Sequence, residues 1–588
     1  MQKIGIGNED YKNFLDKNLY YVDKTLMIRD IINSGETVTL FTRPRRFGKT
    51  LTLSMLKTFF EEELDRDGNI MDNSRYFSGK KIMECGDENV LSMMGQYPVI
   101  NLSLKSAGQS DFKASFKILR DEIADEFARH IYLKDSDRID DVHKAKFDEL
   151  LHGGERYNKA NDEAKTDADR NRIFKEEVER YSTALKSLSE CLMQHHGKKV
   201  IILIDEYDVP LENAWFHGFY DEMVGFIRTF FESALKTNSA LDRAVITGCL
   251  RISRESIFTG LNNLMVNSIR TRDFGEYFGF TPEETIEMLS AYGLSDKVDE
   301  VRKWYDGYLF GDSEVYNPWS VTNYIKLHWK SPDTFPEPYW SNTSSNKIIK
   351  DLIDHSSPEQ KADIDTLVTG GTIEKKIHED ITYADVHESD DNLWNFLFFT
   401  GYLRKVSERQ EDENLFVRMC IPNIEVRYIY KNHITVWFDK KKKEISREPL
   451  YKAIIERDAE QIGAFMSGVL KQTISTFDSG ESFYHGMFLS LLYGMPDYIP
   501  KSNREEGEGR PDIVLYPENP EDPAFIFELK VRKDFREIDA GIKEAIKQID
   551  DRHYEDGIEN EGYAGYVSFG ACFCKKRAMF RLKKEHRA

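Results

Sequence analysis

An α/β fold built on a parallel sheet is what the hydrophobic pattern predicts, and three stretches carry that reading. The β-branched apolar run 37–42 passes directly into a segment with helical spacing, Leu51, Leu53, Met55, Leu56, Phe59 and Phe60, so a strand feeds a helix through one tight turn. Tyr97-Pro98-Val99-Ile100-Asn101-Leu102-Ser103 reads as a second strand. Val200-Ile201-Ile202-Leu203-Ile204 is a continuous apolar run, the pattern of a strand buried on both faces. Strands alternating with helices imply a parallel sheet.

The turn after the first strand is Arg43-Pro44-Arg45-Arg46-Phe47-Gly48-Lys49-Thr50. Gly48-Lys49-Thr50 reads as the second half of a Walker A loop: backbone N–H groups cradle phosphates, Lys49 reaches the β- and γ-phosphates, and the Thr50 hydroxyl ligates Mg²⁺. The first half departs from that motif, because Arg43 stands where the opening glycine belongs and Pro44 pushes it towards extended geometry. Taken alone, the octamer equally suits a basic surface loop. The buried strand 200–204 supplies the second signal, since it ends in Asp205-Glu206. An aspartate there holds Mg²⁺ and the following glutamate polarises the attacking water. A further strand, 243–248, delivers Thr247 to the same edge as a candidate γ-phosphate sensor, and Arg251 and Arg254 follow as candidate arginine fingers or carboxylate partners. The expected ATP-binding set is therefore Arg46, Gly48, Lys49, Thr50, Asp205, Thr247 and Arg251, with Thr50 and Asp205 holding Mg²⁺. Arg43, Arg45 and Arg46 either contact nucleotide or pair with acids such as Asp23.

At 588 residues the chain exceeds one core, and roughly 100 to 200 residues per domain suggests about three to five units. The net charge of −21 argues against a protein that coats nucleic acid non-specifically, although a local basic groove is compatible with it. Six scattered cysteines suit a reducing compartment. Cys572 and Cys574 lack a second pair at zinc-ligand spacing. With no signal-peptide core and no window approaching about 18 uninterrupted apolar residues, a soluble cytoplasmic protein without a membrane partner is expected.

Along the chain, residues 26–33 form an amphipathic helix that Ser34-Gly35 ends. From about 105 to 197 the pattern is helical and heavily charged, with Phe112, Phe116, Leu119, Ile123 and Phe127 at three- and four-residue spacing. This insertion reads as a helical hairpin on the sheet, with 158–172 an exposed loop. Thr281-Pro282-Glu283-Glu284 is a capping box that starts a helix. Aromatic turns follow at 304–308, 316–320 and 340–343, and are core and corner residues on their own chemistry. A helix, a turn and two strands over 393–421 suggest a small winged-helix unit. Lys440-Lys441-Lys442-Lys443 is a solvated face, with nucleic-acid contact the alternative.

A second constellation lies near the C-terminal end. A helical segment 446–477 precedes an apolar helix, 481–492, that bears Glu481, Tyr484 and His485. Two strands, 511–516 and 524–530, can place Asp512 and Glu528 side by side, with Lys530 two residues on and on the Glu528 face. Two carboxylates can hold Mg²⁺ at a phosphodiester, and the ammonium can orient water and offset developing charge. Gln548 and Tyr554 lie on and after the next helix. A hairpin with exposed charges is the bland alternative.

Val22-Asp23-Lys24-Thr25, the octamer 43–50, Ile204-Asp205-Glu206-Tyr207-Asp208 and Ile246-Thr247-Gly248 resemble the bacterial AAA-ATPase-like family, whose members often carry a C-terminal PD-(D/E)xK nuclease-superfamily domain. The family's loop also begins with Arg. Pro511-Asp512, a gap of 15 residues, then Glu528-Leu529-Lys530 resembles the nuclease signature in full, and Gln548 falls where such nucleases place a fourth motif. The resemblance implies a P-loop NTPase parallel sheet over 1–280, a helical lid over 281–360 beside the nucleotide and a restriction-endonuclease-like α/β domain over 446–588, with the winged-helix or linker segment suggested above taking 361–445. It implies Glu206, Asp512, Glu528, Lys530 and Gln548 as catalytic residues, Asp512 and Glu528 as a second Mg²⁺ pair, and DNA or RNA as partner. A homo-oligomer follows if an arginine acts in trans. The rival reading is a nucleotide-driven switch whose C-terminal domain binds nucleic acid or a protein without cleaving.

Overall fold

β-Branched and aliphatic runs form the sheet that positions the first site. In the computed structural model these are β1 (Val38–Thr42), β2 (Val99–Ser103), β3 (Val200–Asp205), β4 (Leu241–Gly248) and β5 (Leu264–Asn267), all parallel, in the order β2-β3-β4-β1-β5. The structure describes residues 2–65, 68–250, 257–258, 261–331, 334–342, 356–378, 390–431, 446–473, 481–502, 511–552, 554, 558, 562–563 and 565–587. They fall into two compact units, Met1–Trp340 with Glu374–Glu425, and Ser341–Ile373 with Val426–Ala588. β1 and β3 are buried along their whole length, so both faces of the sheet are covered. β4 separates β1 from β3, with Phe41 opposite Thr247 and Ile204 opposite Ile246. The carboxyl ends of these three strands therefore meet at one edge, where open α/β sheets bind ligands.

The insertion is more helical than its sequence suggests. Residues 158–172, expected as an exposed loop, lie in the helices Gly153–Glu163 and Asp167–Tyr181, broken only at 164–166. Thr166 caps the second helix by accepting the Asp169 N–H, and Asp167 and Asp169 face its positive end. The apolar anchors sit just outside the polar stretch: Phe174 packs against Phe112, Phe116 and Tyr157.

The capping box at Thr281 forms, with Thr281 and Glu284 exchanging side-chain to backbone hydrogen bonds at the head of the helix Pro282–Ala291. The helices Val298–Tyr305 and Pro318–His328 and the hairpin of β6 (Tyr308–Phe310) and β7 (Ser313–Val315) complete this part of the chain. Its aromatics are core residues: Tyr292, Tyr305, Tyr316 and Tyr324 join Leu289 and Val301 in one cluster. Farther on, β8 (Ile373–Ile377), β9 (Arg404–Glu411) and β10 (Asn414–Cys420) form a sheet in the order β8-β10-β9, with the helix Asp390–Phe399 between β8 and β9 in sequence. Lys440 to Lys443 lie outside the described residues.

The second unit holds β11 (Tyr498–Ser502), β12 (Ile513–Pro517), β13 (Ala524–Val531), β14 (Gly565–Cys574) and β15 (Arg577–Arg587), adjacent in sequence order. β13 and β14 pair in parallel, the other neighbours antiparallel. A parallel pair needs a crossover, and the helix Ile538–Arg552 supplies it, packing on both strands. Met466, Phe488, Phe527, Phe569 and Phe580 fill the core. Among the described residues no helix is long and apolar enough to cross a membrane.

One buried acid in the first unit makes stability depend on pH. Glu425 accepts the Ser320 hydroxyl at 2.8 Å and the Trp340 N–H at 2.8 Å, and is fully buried. Burial, only partly opposed by those hydrogen bonds, pushes its carboxyl up from 4.5 to about 8. A raised folded value means that this group's contribution is full below about pH 4.5 and is lost as pH rises through about 8. Glu425→Gln is expected to raise the melting temperature at pH 9 by about 3 °C or more while moving it by under about 1 °C at pH 5, read by thermal unfolding at both values.

Candidate functional site

The phosphate loop begins by prolonging the sheet, with the Arg43 N–H donating to the Gly248 carbonyl at 3.0 Å. It ends at Gly48, whose φ of +85° is the left-handed geometry that glycine takes without strain. Gly48 heads the helix Lys49–Phe60, and no side chain caps that helix among the described residues. Its first N–H groups therefore face the loop, an arrangement that favours anions.

Around this turn the structure brings together most of the residues named from the sequence. The Thr50 hydroxyl donates to Asp205 Oδ2 at 2.7 Å, and the Thr247 hydroxyl donates to Asp205 Oδ1. Lys49 Nζ donates to the carbonyls of Arg43 and Pro44 at 3.0 and 3.1 Å and lies 3.6 Å from Cys249 Sγ. Glu206 follows β3 with a φ of +51° and is partly buried. Burial pushes its carboxyl up, with Lys49 opposing and Asp205 reinforcing the shift. A hydroxyl beside a carboxylate at a helix start suits Mg²⁺, which takes few protein ligands and fills its shell with water and phosphate oxygens. Arg251 and Arg254 lie outside the described residues.

The three loop arginines divide. Arg43 is fully buried, donates to the carbonyls of Thr42 and Asn267 at 2.9 and 2.6 Å, and lies over the rings of Phe278 and Phe310, 5.1 Å from each centroid. Arg45 pairs with Glu212. Arg46, at a φ of +70°, stacks over Trp319 at 4.4 Å. Asp23, offered above as a partner for them, instead accepts the Thr25 N–H and hydroxyl and the Lys81 N–H. Its neighbour Lys24 reaches Glu284 and the Glu276 carbonyl, both at 2.6 Å, so Val22-Asp23-Lys24-Thr25 ties the N-terminal segment to the helix Pro282–Ala291.

Asp208 has no role in the sequence reading, yet it is buried and accepts the N–H groups of Cys249 and Leu250 at 2.8 and 3.0 Å. Tyr207 adds a hydroxyl donated to the Leu250 carbonyl at 2.6 Å. Together they fix the chain as it leaves β4. Its signal in the sequence was its place at the end of the motif Ile204-Asp205-Glu206-Tyr207-Asp208.

In the second unit, β12 and β13 pair antiparallel with Ile513 opposite Phe527, which sets Asp512 across from Glu528. Asp512 Oδ2 accepts the Leu529 N–H at 2.7 Å, and Lys530 Nζ donates to Glu528 Oε1 at 3.0 Å. Glu528 and Lys530 are both buried. Burial first, then the charge of Asp512, pushes the Glu528 carboxyl up to about 7, with Lys530 opposing. Two facing carboxylates, one of them desolvated, form a like-charge pair that a divalent cation relieves. Among the described residues no group of three or more His, Cys, Asp or Glu side chains is set to hold a metal, so two carboxylates plus water and phosphate is the donor set that fits. Gln548 Nε2 donates to the Tyr554 hydroxyl at 3.2 Å. Burial raises the Tyr554 phenol, the bond from Gln548 opposes the shift, and the charges of Glu528 and Asp512 add to it. His485 meets Asp512 through the backbone carbonyl, at 2.9 Å, and Ser502 at 3.0 Å. The Glu481 side chain lies outside the described residues.

Residues 4–258 match the family described as predicted AAA-ATPase, and residues 479–582 match the PD-(D/E)XK nuclease superfamily. The chain joins an AAA-ATPase-like domain to a PD-(D/E)XK nuclease-superfamily domain. The AAA-ATPase-like span holds the phosphate loop, the Asp205 to Asp208 strand end and Thr247, and the nuclease-superfamily span holds Asp512, Glu528, Lys530 and Gln548. An uncharacterized protein in the vnfD 5′ region of Azotobacter chroococcum mcd 1 is 23% identical over 574 residues, covering 95% of this chain and 94% of that protein.

Gly248 is the tightest point of the AAA-ATPase-like site. A Cβ there would stand 2.4 Å from the Tyr207 ring and 2.9 Å from Asp208 Oδ1, whereas one at Gly48 would meet nothing within 4 Å. Gly248→Ala is expected to cost about 1–3 kcal/mol in urea unfolding, against about 1 kcal/mol for the left-handed strain of Gly48→Ala.

Proposed function

We propose that the AAA-ATPase-like domain binds and hydrolyses ATP with Mg²⁺, and that its nucleotide state controls a Mg²⁺-dependent phosphodiesterase acting on DNA or RNA. The observation that carries the ATPase reading is the Asp205 carboxylate held between the Thr50 and Thr247 hydroxyls, next to Lys49 and Glu206. The N–H groups after Gly48 bind the phosphates, and Lys49 exchanges the Arg43 and Pro44 carbonyls for β- and γ-phosphate oxygens. Thr50 and Asp205 hold Mg²⁺, which when bound neutralises charge on the transferred phosphoryl group. Glu206 orients the attacking water and takes its proton, favoured by a carboxyl already raised by burial. Thr247 responds to the γ-phosphate through its bond to Asp205, Arg46 contributes a loop contact, and Arg251 is the candidate finger, acting in trans if the protein assembles as a homo-oligomer.

At the second site Asp512 and Glu528 hold Mg²⁺, Lys530 orients the hydrolytic water, and Gln548 with Tyr554 lines the approach of the scissile phosphate. Six free thiols support a reducing, cytoplasmic setting.

Glu206→Gln is expected to keep ATP affinity within a few-fold and to lower turnover at least about 100-fold; undiminished hydrolysis would contradict the role given to Glu206. Asp512→Ala is expected to abolish Mg²⁺-dependent cleavage of DNA or RNA and to spare ATP turnover. A wild-type protein that binds nucleic acid without cutting it supports the switch reading instead.

A further inference from the structure

The phosphate loop places one guanidinium on the side of the hydrolytic residues. Arg43 lies within the protein against two carbonyls and two rings, and Arg46 is turned to Trp319. Arg45 reaches Glu212, in the first turn of the helix Val209–His217, which starts three residues after Glu206. Each member of the pair is largely shielded from solvent, with 22% and 15% of the side chains exposed.

Two neighbours show what else surrounds Arg45. Cys249 Sγ is 3.6 Å from Lys49 Nζ. Burial pushes that thiol up to about 11, and the charges of Lys49, Asp208, Arg45 and Glu206 all act on it. Burial also raises the Glu212 carboxyl, with Arg45 opposing and Asp208 and Glu206 reinforcing the shift. Arg45, Glu206 and Cys249 follow the carboxyl ends of β1, β3 and β4, at the edge where Lys49 Nζ lies 3.6 Å from Cys249 Sγ.

The Glu212 carboxylate is a modest partner compared with a triphosphate. Guanidinium groups bind phosphate oxygens in a planar fork, and shielding from solvent strengthens the attraction. The bond to Glu212 holds the long side chain beside the site beforehand, which lowers the ordering cost when nucleotide arrives.

We propose that Arg45 is a catalytic residue of ATP hydrolysis, acting in cis: its guanidinium turns from Glu212 to the γ-phosphoryl oxygens and stabilises their charge as the terminal bond breaks. This rests on the ATPase reading above. The water oxygen bonds to the γ-phosphorus while the bond from that phosphorus to the β,γ-bridging oxygen breaks, its electron pair leaving on ADP. The water proton passes to Glu206 and then to the products. Arg45 neither gains nor loses a proton. Glu212 is a positioning residue that stores the arginine between turnovers.

The test measures steady-state ATP turnover and separately ATP affinity in wild type, Arg45→Ala, Arg45→Lys and Glu212→Gln, together with trapping of ADP by aluminium fluoride. Arg45→Ala is expected to lose about 100- to 1,000-fold in kcat with ATP affinity within about threefold, and to lose trapping. Arg45→Lys, which keeps a cation if the alanine variant fails to fold, is expected between the two. Glu212→Gln is expected to lose at most about tenfold in kcat. Equal losses in Arg45→Ala and Glu212→Gln would mean that the pair only closes the loop, and would overturn the inference. So would undiminished kcat in either Arg45 variant while the wild type hydrolyses ATP. A wild type that binds but never hydrolyses ATP overturns the ATPase reading itself, and this inference with it.

Discussion

The first unit is organised around one carboxylate. Asp205 stands at the end of β3, yet its two oxygens are occupied by hydroxyls from the phosphate-loop helix and from β4. Three elements far apart in sequence are thereby held to one point. A buried anion is costly unless its oxygens are hydrogen-bonded, and these two hydroxyls supply the bonds. With β4 between β1 and β3, Thr247 stands on the strand next to Asp205 and bonds it directly. Gly248 then has to be glycine, because Tyr207 and Asp208 occupy the space where a side chain would stand.

A glycine normally opens a phosphate loop because the chain must bend tightly there. Here an arginine does a different job at the same position. Arg43 is buried between carbonyls of β1 and β5 and the rings of Phe278 and Phe310, so its cation acts as a strut beneath the loop. Phe47 packs on Tyr308 and Phe310 alongside it. The loop is thus shaped by what lies under it, while Arg45 reaches Glu212 and Arg46 stacks on Trp319.

Much of this was legible in the sequence, for a physical reason. Buried parallel strands are uninterrupted apolar runs, so β1 to β4 stand out, and Thr281 with Glu284 declares a helix start from local chemistry. The pairing of Asp512 with Glu528 followed from strand geometry and the two-residue period that puts Lys530 beside Glu528. What stayed hidden depends on partners distant in the chain. Arg45 and Glu212 are separated by 167 positions, and nothing local distinguishes that pair from an arginine bound to Asp23. Asp208 stands in the strand-end motif, but what it does depends on the N–H groups of Cys249 and Leu250, 41 and 42 positions away. The 158–172 stretch misled because its apolar contacts are made by flanking residues, while the helices themselves are held by a cap and by charge.

The central claim is that Asp205 with Thr50 forms a Mg²⁺·ATP site, and calorimetric titration of ATP with and without Mg²⁺ tests it most directly. The account predicts that Mg²⁺ strengthens ATP binding to the wild type, and that Asp205→Asn loses that gain by at least about tenfold, about 1.4 kcal/mol, while still binding ATP alone. An equal Mg²⁺-dependent gain in the wild type and in Asp205→Asn would contradict it.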